Sequence, residues 1–312
     1  MVWFYPLFSM NIRHLLQSQD LDKDAVLTIF QKAEELRTAN DKPLRGKILA
    51  TLFYEPSTRT RLSFESAMIK LGGNVVSTEN AREFSSTVKG ESLQDTIRIV
   101  SSYTDIIVLR HFEEGAAKIA ASVSSVPIIN GGDGAGQHPT QALLDLYTIW
   151  REFGRIEDLV IAMVGDLKYG RTIRSLCYLL GKFEKVKIIF IAPEHLTIKP
   201  DIKEYLNRHA IEFAEATELN SYLPELDLVY MTRIQKERMS EEEYRTAKER
   251  YIITEENLKL MKESARLLHP LPHLEEIKLS VETEHTDKRV AYFRQAENGL
   301  YLRMALLSSL LQ

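Results

Sequence analysis

Residues 47–77, KILATLFYEPSTRTRLSFESAMIKLGGNVVS, carry the pattern from which the fold follows. The stretch opens with an apolar run, Lys47 to Tyr54, of the length and composition of a buried strand. Turn residues Glu55-Pro56-Ser57 come next, and Phe64, Ala67, Met68 and Leu71 then recur at helical spacing until Gly72-Gly73 ends the pattern. A second apolar run covers Asn74 to Ser77. Strand, helix and strand within about thirty residues form a βα unit that feeds a parallel sheet.

Outward from this unit the same alternation repeats. Strand-like runs cover Asp105–Arg110, Val126–Asn130, Leu159–Val164, Lys187–Ile191, Ile211–Ala214 and Leu226–Met231. Between them Leu93, Ile97 and Val100 keep helical spacing, and Pro139 to Phe153 puts Ala142, Leu143, Leu146 and Ile149 on one stripe. At 312 residues the chain exceeds one ordinary core, since single cores stop growing near about 250–300 residues. The expected architecture is α/β with two domains, each a mostly parallel sheet flanked by helices, joined by interdomain helices. Residues 1–143 plus 295–312 form the first domain, to which the last helical pattern, Gln295 to Leu311, returns; residues 144–294 form the second.

Composition narrows the function classes. A content of 44% hydrophobic and 27% charged residues is that of a globular protein, which excludes a fibrous or disordered chain. A net charge of −4 provides no global positive field, so neither nucleic acid nor a membrane surface is an expected partner. Cys177 is the single cysteine and no Cys/His spacing suits zinc, so disulfides and a metal site are not expected, and a cytoplasmic location is. Residues 1–10 are apolar but short, contain Pro6 and lack a basic region, and so fail as a signal peptide or a membrane span. Met10 is an alternative start.

In open parallel sheets, ligands gather beyond the carboxyl ends of the strands. The residues that follow the predicted strands here are Ser57-Thr58-Arg59-Thr60-Arg61, Arg110, Gly131 to Gln141 with His138, Gly165-Asp166 with Arg171, and Thr232-Arg233-Ile234-Gln235. The first of these joins a strand to a helix whose leading N–H groups and positive dipole end face outward, the outline of a phosphate site. A lone Ser-Thr at a helix start is more often only a cap. Two arginines and three hydroxyls in five residues reverse that reading, and Arg59 can clamp two phosphate oxygens at once. Taken singly, Arg110 reads as a strand-end ion pair and His138 as a structural histidine; their joint placement carries the inference. Arg171 and Arg233 suit the two carboxylates of a dicarboxylic ligand. The polar Ser85 to Glu91 loop, with Lys89, reads by itself as solvated.

These residues resemble the catalytic chains of the aspartate/ornithine transcarbamoylase family, from about Met10 to the C-terminus. Ser57-Thr58-Arg59-Thr60-Arg61 is similar to the family's carbamoyl phosphate signature and His138-Pro139-Thr140-Gln141 to its second signature. The Ser85–Glu91 loop, Gly165–Thr172, Thr232–Arg238 and His269-Pro270-Leu271-Pro272 are similar to the aspartate branch. The resemblance implies transfer of the carbamoyl group of carbamoyl phosphate to the amine of L-aspartate, giving N-carbamoyl-L-aspartate in pyrimidine biosynthesis, without a cofactor. It assigns Ser57, Thr58, Arg59, Thr60 and Arg110 to the phosphate, and Thr60, Arg110 and His138 to the carbonyl oxygen. Gln141 falls beside the amide, Arg171, Arg233 and Gln235 on aspartate, and the backbone carbonyls of Pro270 and Leu271 on the ligands, with a cis Leu271-Pro272 bond. Ser85 and Lys89 would come from the neighbouring subunit of a homotrimer, with Lys89 also reaching aspartate. The stretch Arg110 to Ala117 is similar to forms that carry separate regulatory chains.

Two departures stand out. His273 occupies a place where an arginine is common, and Glu282 to Lys288 is unlike other members. An ornithine transcarbamoylase is the nearest rival, but Pro270 stands where that branch has its usual cysteine, and a cationic acceptor suits Arg233 poorly. A non-catalytic scaffold is a second rival, against which Lys89 and His138 are both retained. A bare anion-binding module would leave Arg171 and Arg233 unexplained.

Overall fold

The structure, a computed structural model, describes residues 12–84, 89–234, 241 and 250–312. The chain divides into two units. The first runs to Leu144 and takes up the chain again at Glu297–Gln312; the second is Asp145–Ala296. These divisions lie one and two residues beyond the boundaries expected from the sequence.

In the first unit the elements are α1 (Lys23–Thr38), β1 (Ile48–Phe53), α2 (Thr58–Lys70), β2 (Asn74–Glu79), α3 (Ala81–Phe84), α4 (Leu93–Ser101), β3 (Ile106–His111), α5 (Ala116–Val123), β4 (Ile128–Asp133) and the start of α6 (Pro139–Phe153). The strands pair in the order β2-β1-β3-β4, all parallel. On one face Ala50, Leu52 and Tyr54 pack with Ile97, Ile107, Leu109, Ala120 and Ile128. From the other face Thr51 donates to Glu65 of α2 at 2.8 Å. Helices thus cover both sides of the sheet, which is why its strands read as continuous apolar runs rather than alternating ones.

The second unit continues with β5 (Val160–Val164), α7 (Arg171–Leu180), β6 (Lys187–Ile191), α8 (Pro200–Arg208), β7 (Glu212–Ala216), β8 (Leu228–Met231), β9 (Ile253–Thr254), α9 (Glu255–Leu260), β10 (Arg266–Leu268), β11 (Ile277–Lys278), α10 (Val281–Thr286) and α11 (Tyr292–Leu311), the last continuing into the first unit. Its main sheet has the order β10-β8-β5-β6-β7, again parallel, and β9 pairs with β11. No helix of the described residues is long and apolar enough to cross a membrane.

The structure differs from the sequence reading in several places, the unexpected β9 and β11 among them. β4 continues through Gly131-Gly132 to Asp133, where a loop was expected, because its ladder with β3 resumes at His111–Asp133 after a shift in register. The three-residue β10 was not expected; it is too short to show a period of its own and is defined by pairing with β8. Residues ahead of α1 also join the first sheet: Leu15 bridges Ile129, and Arg13 donates to the carbonyl of Ser125 at 2.9 Å.

Each sheet has one place where the chain changes direction of travel. From β1 the first sheet grows to β2 and then crosses back to β3; from β5 the second grows through β6 and β7 and then crosses back to β8. The carboxyl ends flanking these two switch points form the crevices in which α/β folds bind ligands. At the second, the end of β5 comes so close to the end of β8 that a Cβ on Gly165 would lie 2.3 Å from the carbonyl oxygen of Thr232. Gly165 also has φ +115, outside the region open to other residues. Gly165→Ala is therefore expected to cost about 2–3 kcal/mol. For a unit of this size that lowers Tm on the order of 5–10 °C. Gly154→Ala, at φ +69 but with nothing within 4 Å, should cost about 1 kcal/mol. Thermal unfolding of the two variants side by side checks the difference; equal shifts would remove the close approach from the account.

Candidate active site

The first switch point gathers groups suited to an anion. β1 ends at Phe53, and the turn 54–57 leads directly into α2. Ser57 takes the N-cap position with extended backbone, but its hydroxyl makes no capping bond, so it is not spent on the helix. Thr58 and Arg59 are exposed and Thr60 is buried. The protein around Arg59 removes part of the guanidinium's hydration and lowers its pKa, though an arginine stays charged. A positive side chain on the first turn of a helix opposes the helix dipole. This arrangement is unfavourable by itself and becomes favourable when an anion bridges the two.

Arg110 lies at the end of β3, in register with Phe53 of β1. One guanidinium nitrogen is 3.4 Å from Glu55 Oε2, and another donates to the carbonyl of Gly131 at 3.3 Å. The ends of β1, β3 and β4 are thereby drawn together. His138 is buried immediately before α6, and its carbonyl accepts from the N–H groups of Gln141 and Ala142. Its Nδ1 is 3.4 Å from the hydroxyl of Thr140. Gln141 follows on the first turn of α6, partly exposed.

Arg61, which the sequence places among the anion-facing donors, turns away. It donates to Glu79 at 2.7 Å and to Ser77 at 3.3 Å, and lies 3.4 Å from Glu65. Thr51 and Ser77 complete this network between α2, β1 and β2, at 2.9 Å from each other. Two residues that the sequence did not mark as functional enter instead: Glu55, which orients Arg110, and Asp133, on which the loop before His138 is organised. A lone acidic residue at or just past a strand end carries no signal of either role.

The second unit builds its own cluster at its switch point. Arg171 opens α7 behind Gly170, and Arg233 is exposed two residues past β8. Buried Asp166 accepts from the N–H of Tyr169 at 3.0 Å and shapes the turn between β5 and Arg171. Thr232 donates its hydroxyl to the carbonyl of Val164 at 2.9 Å, tying β8 to β5 just before Arg233.

The turn at 269–272 is set by a buried hub. Asp145 accepts from the hydroxyl of Tyr230 at 2.6 Å and from Gln295 at 2.5 Å, and Gln295 accepts the N–H of His269 at 2.9 Å. His269 Nδ1 accepts from the N–H of Leu271 at 2.8 Å, while its Nε2 lies 3.0 Å from Glu276. Burial opposes ionisation of Glu276, yet its hydrogen bonds from His269 and from backbone N–H groups hold its pKa below the usual carboxylate value. Leu271 has φ +56 and the Leu271-Pro272 bond is cis. The two departures noted in the sequence meet here: His273 Nε2 is 3.1 Å from Glu284, which also accepts from Tyr292.

Lys89 is exposed ahead of α4 and makes no hydrogen bond or ion pair among the described residues. Ser85 and Gln235, both expected site residues, lie outside the described residues.

Residues 13–151 match the model of the aspartate/ornithine carbamoyltransferase carbamoyl-P binding domain, and residues 157–310 match that of the Asp/Orn binding domain. The chain is 51% identical over 317 residues to aspartate carbamoyltransferase 1, chloroplastic, of Pisum sativum, covering 98% of this chain and 81% of that protein. The structure superposes on the catalytic subunit of M. jannaschii aspartate transcarbamoylase with a TM-score of 0.89 at 47% identity, covering 96% and 98% of the two chains. On the Trypanosoma cruzi aspartate transcarbamoylase, solved with carbamoyl aspartate and phosphate, the TM-score is 0.92 at 37% identity, covering 98% of each chain. The two units, their switch-point clusters and these matches agree, and the chain belongs to the aspartate/ornithine carbamoyltransferase family.

Proposed function

We propose that this protein is an aspartate carbamoyltransferase, moving the carbamoyl group of carbamoyl phosphate to the amine of L-aspartate to give N-carbamoyl-L-aspartate and phosphate. The observation that carries the choice of acceptor is the second switch point, where Arg171 and Arg233 follow β5 and β8. Two guanidinium groups suit a dicarboxylate and disfavour the cationic side chain of ornithine. The ligands of the Trypanosoma cruzi relatives, which include carbamoyl phosphate, aspartate and carbamoyl aspartate, support the same substrates.

In this reading the leading N–H groups of α2, with Ser57, Thr58, Arg59, Thr60 and Arg110, bind the phosphate. Attack of the amine on the carbonyl carbon forms the new C–N bond and a tetrahedral intermediate whose oxygen becomes negative. Thr60, Arg110 and His138 stabilise that oxygen, the kind of preorganised donor set worth about 3 kcal/mol per donor in acyl transfer. Gln141 takes the amide, and the carbonyls of Pro270 and Leu271 face the ligands. Collapse of the intermediate breaks the C–O bond to phosphate, and the amine proton leaves with the phosphate as its acceptor. No protein nucleophile is needed, so catalysis rests on orientation and electrostatics. The product enters pyrimidine biosynthesis. A reducing compartment, the cytoplasm, is the proposed location, since a chain with one cysteine has no disulfide of its own to keep oxidised.

The active assembly proposed is a homotrimer, with Ser85 and Lys89 supplied by the neighbouring subunit. The exposure of Lys89 supports this reading.

A carbamoylation assay on aspartate and ornithine tests the activity; turnover of ornithine alone would overturn the acceptor assignment. Arg233→Ala is expected to raise the aspartate KM at least tenfold, about 1.4 kcal/mol of lost binding, while carbamoyl phosphate binding changes little. Equal weakening of both ligands would remove Arg233 from the aspartate site. For the trimer, Lys89→Ala and His138→Ala should each keep only a small residual activity as homotrimers, on the order of a hundredth or less. After dissociation, mixing and reassembly, roughly a quarter of interfaces in a cyclic trimer would combine an intact His138 with an intact Lys89. Activity near that fraction is expected, and no rise above the parents in a mixture shown by sizing to have exchanged chains would refute the shared site.

A further inference from the structure

The carboxylate of Asp133 is buried and accepts three hydrogen bonds that converge from different parts of the first unit. Oδ2 takes the N–H of Gly115 at 2.9 Å. Oδ1 takes the N–H of Gln137 and the side-chain amide of Asn130, both at 3.0 Å. Gly115 belongs to the loop that leaves β3 after His111; Gln137 directly precedes His138. The backbone of Asp133 closes the same turn, its carbonyl accepting from Gly136 at 2.8 Å and its N–H donating to Gln137 at 3.3 Å.

The supports of this carboxylate are themselves fixed. Asn130 accepts the N–H of Gly132 at 2.8 Å and donates to the carbonyl of Leu16 at 2.9 Å. The Gln137 side chain accepts the N–H of Ser18 at 2.9 Å and donates to Gln19 at 2.7 Å. The N–H of Gly134 donates to the carbonyl of His111 at 2.9 Å, so the loops after β3 and β4 are joined a second time. A carboxylate only accepts, and hydrogen bonds to an ionised group are stronger and shorter than neutral ones. Nothing smaller or neutral at position 133 could hold all three donors.

We propose that Asp133 is a positioning residue for carbamoyl transfer: its carboxylate fixes the turn that delivers His138 to the carbonyl oxygen. The inference rests on the assignment of His138 made above. His138 is then held from both sides, by the Asp133 turn before it and by the first turn of α6 after it. A shift of about 1 Å in such a group is enough to cost on the order of a hundredfold in rate.

The test is a double-mutant cycle in the full chain, with aspartate and carbamoyl phosphate as substrates and thermal unfolding run on every variant. Asp133→Asn keeps the volume but turns a donor toward Gly115 or toward the Gln137–Asn130 pair. Its kcat should fall at least tenfold, with the aspartate KM within threefold of the unaltered protein. In a His138→Ala background the same substitution should lower kcat by less than threefold, because the group it positions is already gone. Losses that multiply would overturn the proposal and leave Asp133 a structural residue. So would failure of Asp133→Asn to fold under conditions where His138→Ala folds. An unaltered chain that does not carbamoylate aspartate would instead refute the functional reading, and the proposal with it.

Discussion

Strand polarity is the constraint on which the molecule depends. In a parallel sheet all carboxyl ends lie on one edge, and each is followed by a helix whose N-terminus points back toward that edge. The pairing of β1 with both β2 and β3 brings the start of α2 and Arg110 side by side, and the pairing of β3 with β4 adds the loop that leads to His138. Had any of these strands run antiparallel, its loop would have emerged on the opposite edge. The collection of donors is therefore a consequence of backbone hydrogen bonding before it is one of side-chain chemistry.

Gathering cations has an electrostatic cost. Arg59 sits at the positive end of α2, where partial burial lowers its pKa. Glu55 offsets part of the charge of Arg110 and gives it direction. Arg61 is neutralised by Glu65 and Glu79 and helps hold α2 against the sheet. Of the two arginines at the start of α2, Arg61 is thus tied to the sheet while Arg59 is exposed.

In the second unit the same polarity operates, with a different means of holding the loops. Buried polar groups do the work: Asp145, Tyr230, Gln295 and the backbone of His269 form one chain of hydrogen bonds through α6, β8, α11 and the end of β10. Burial, reinforced by Asp145, pushes the pKa of the Tyr230 hydroxyl well up, so it stays a donor. Removing one member would leave its neighbours buried without a partner, at about 1–3 kcal/mol. His273 and Glu284, one from each of the two unusual parts of this sequence, lie 3.1 Å apart.

Much of this was legible in the sequence alone. Apolar runs alternating with helical periods define a parallel α/β fold, and they put Ser57 to Thr60, Arg110, His138, Arg171 and Arg233 at strand ends, because periodicity and turn chemistry act over a few neighbouring residues. Tertiary structure decided strand order, the location of the switch points, the extension of β4 through two glycines and the existence of β10. It also sent Arg61 to a partner 18 residues away, joined Asp133 to a loop 18 residues before it, and linked Asp145 to Gln295 across 150 residues. A charged side chain's sequence does not name its partner; the partner is whatever the folded chain brings within about 3 Å, and that distance is set by packing between elements far apart in the chain.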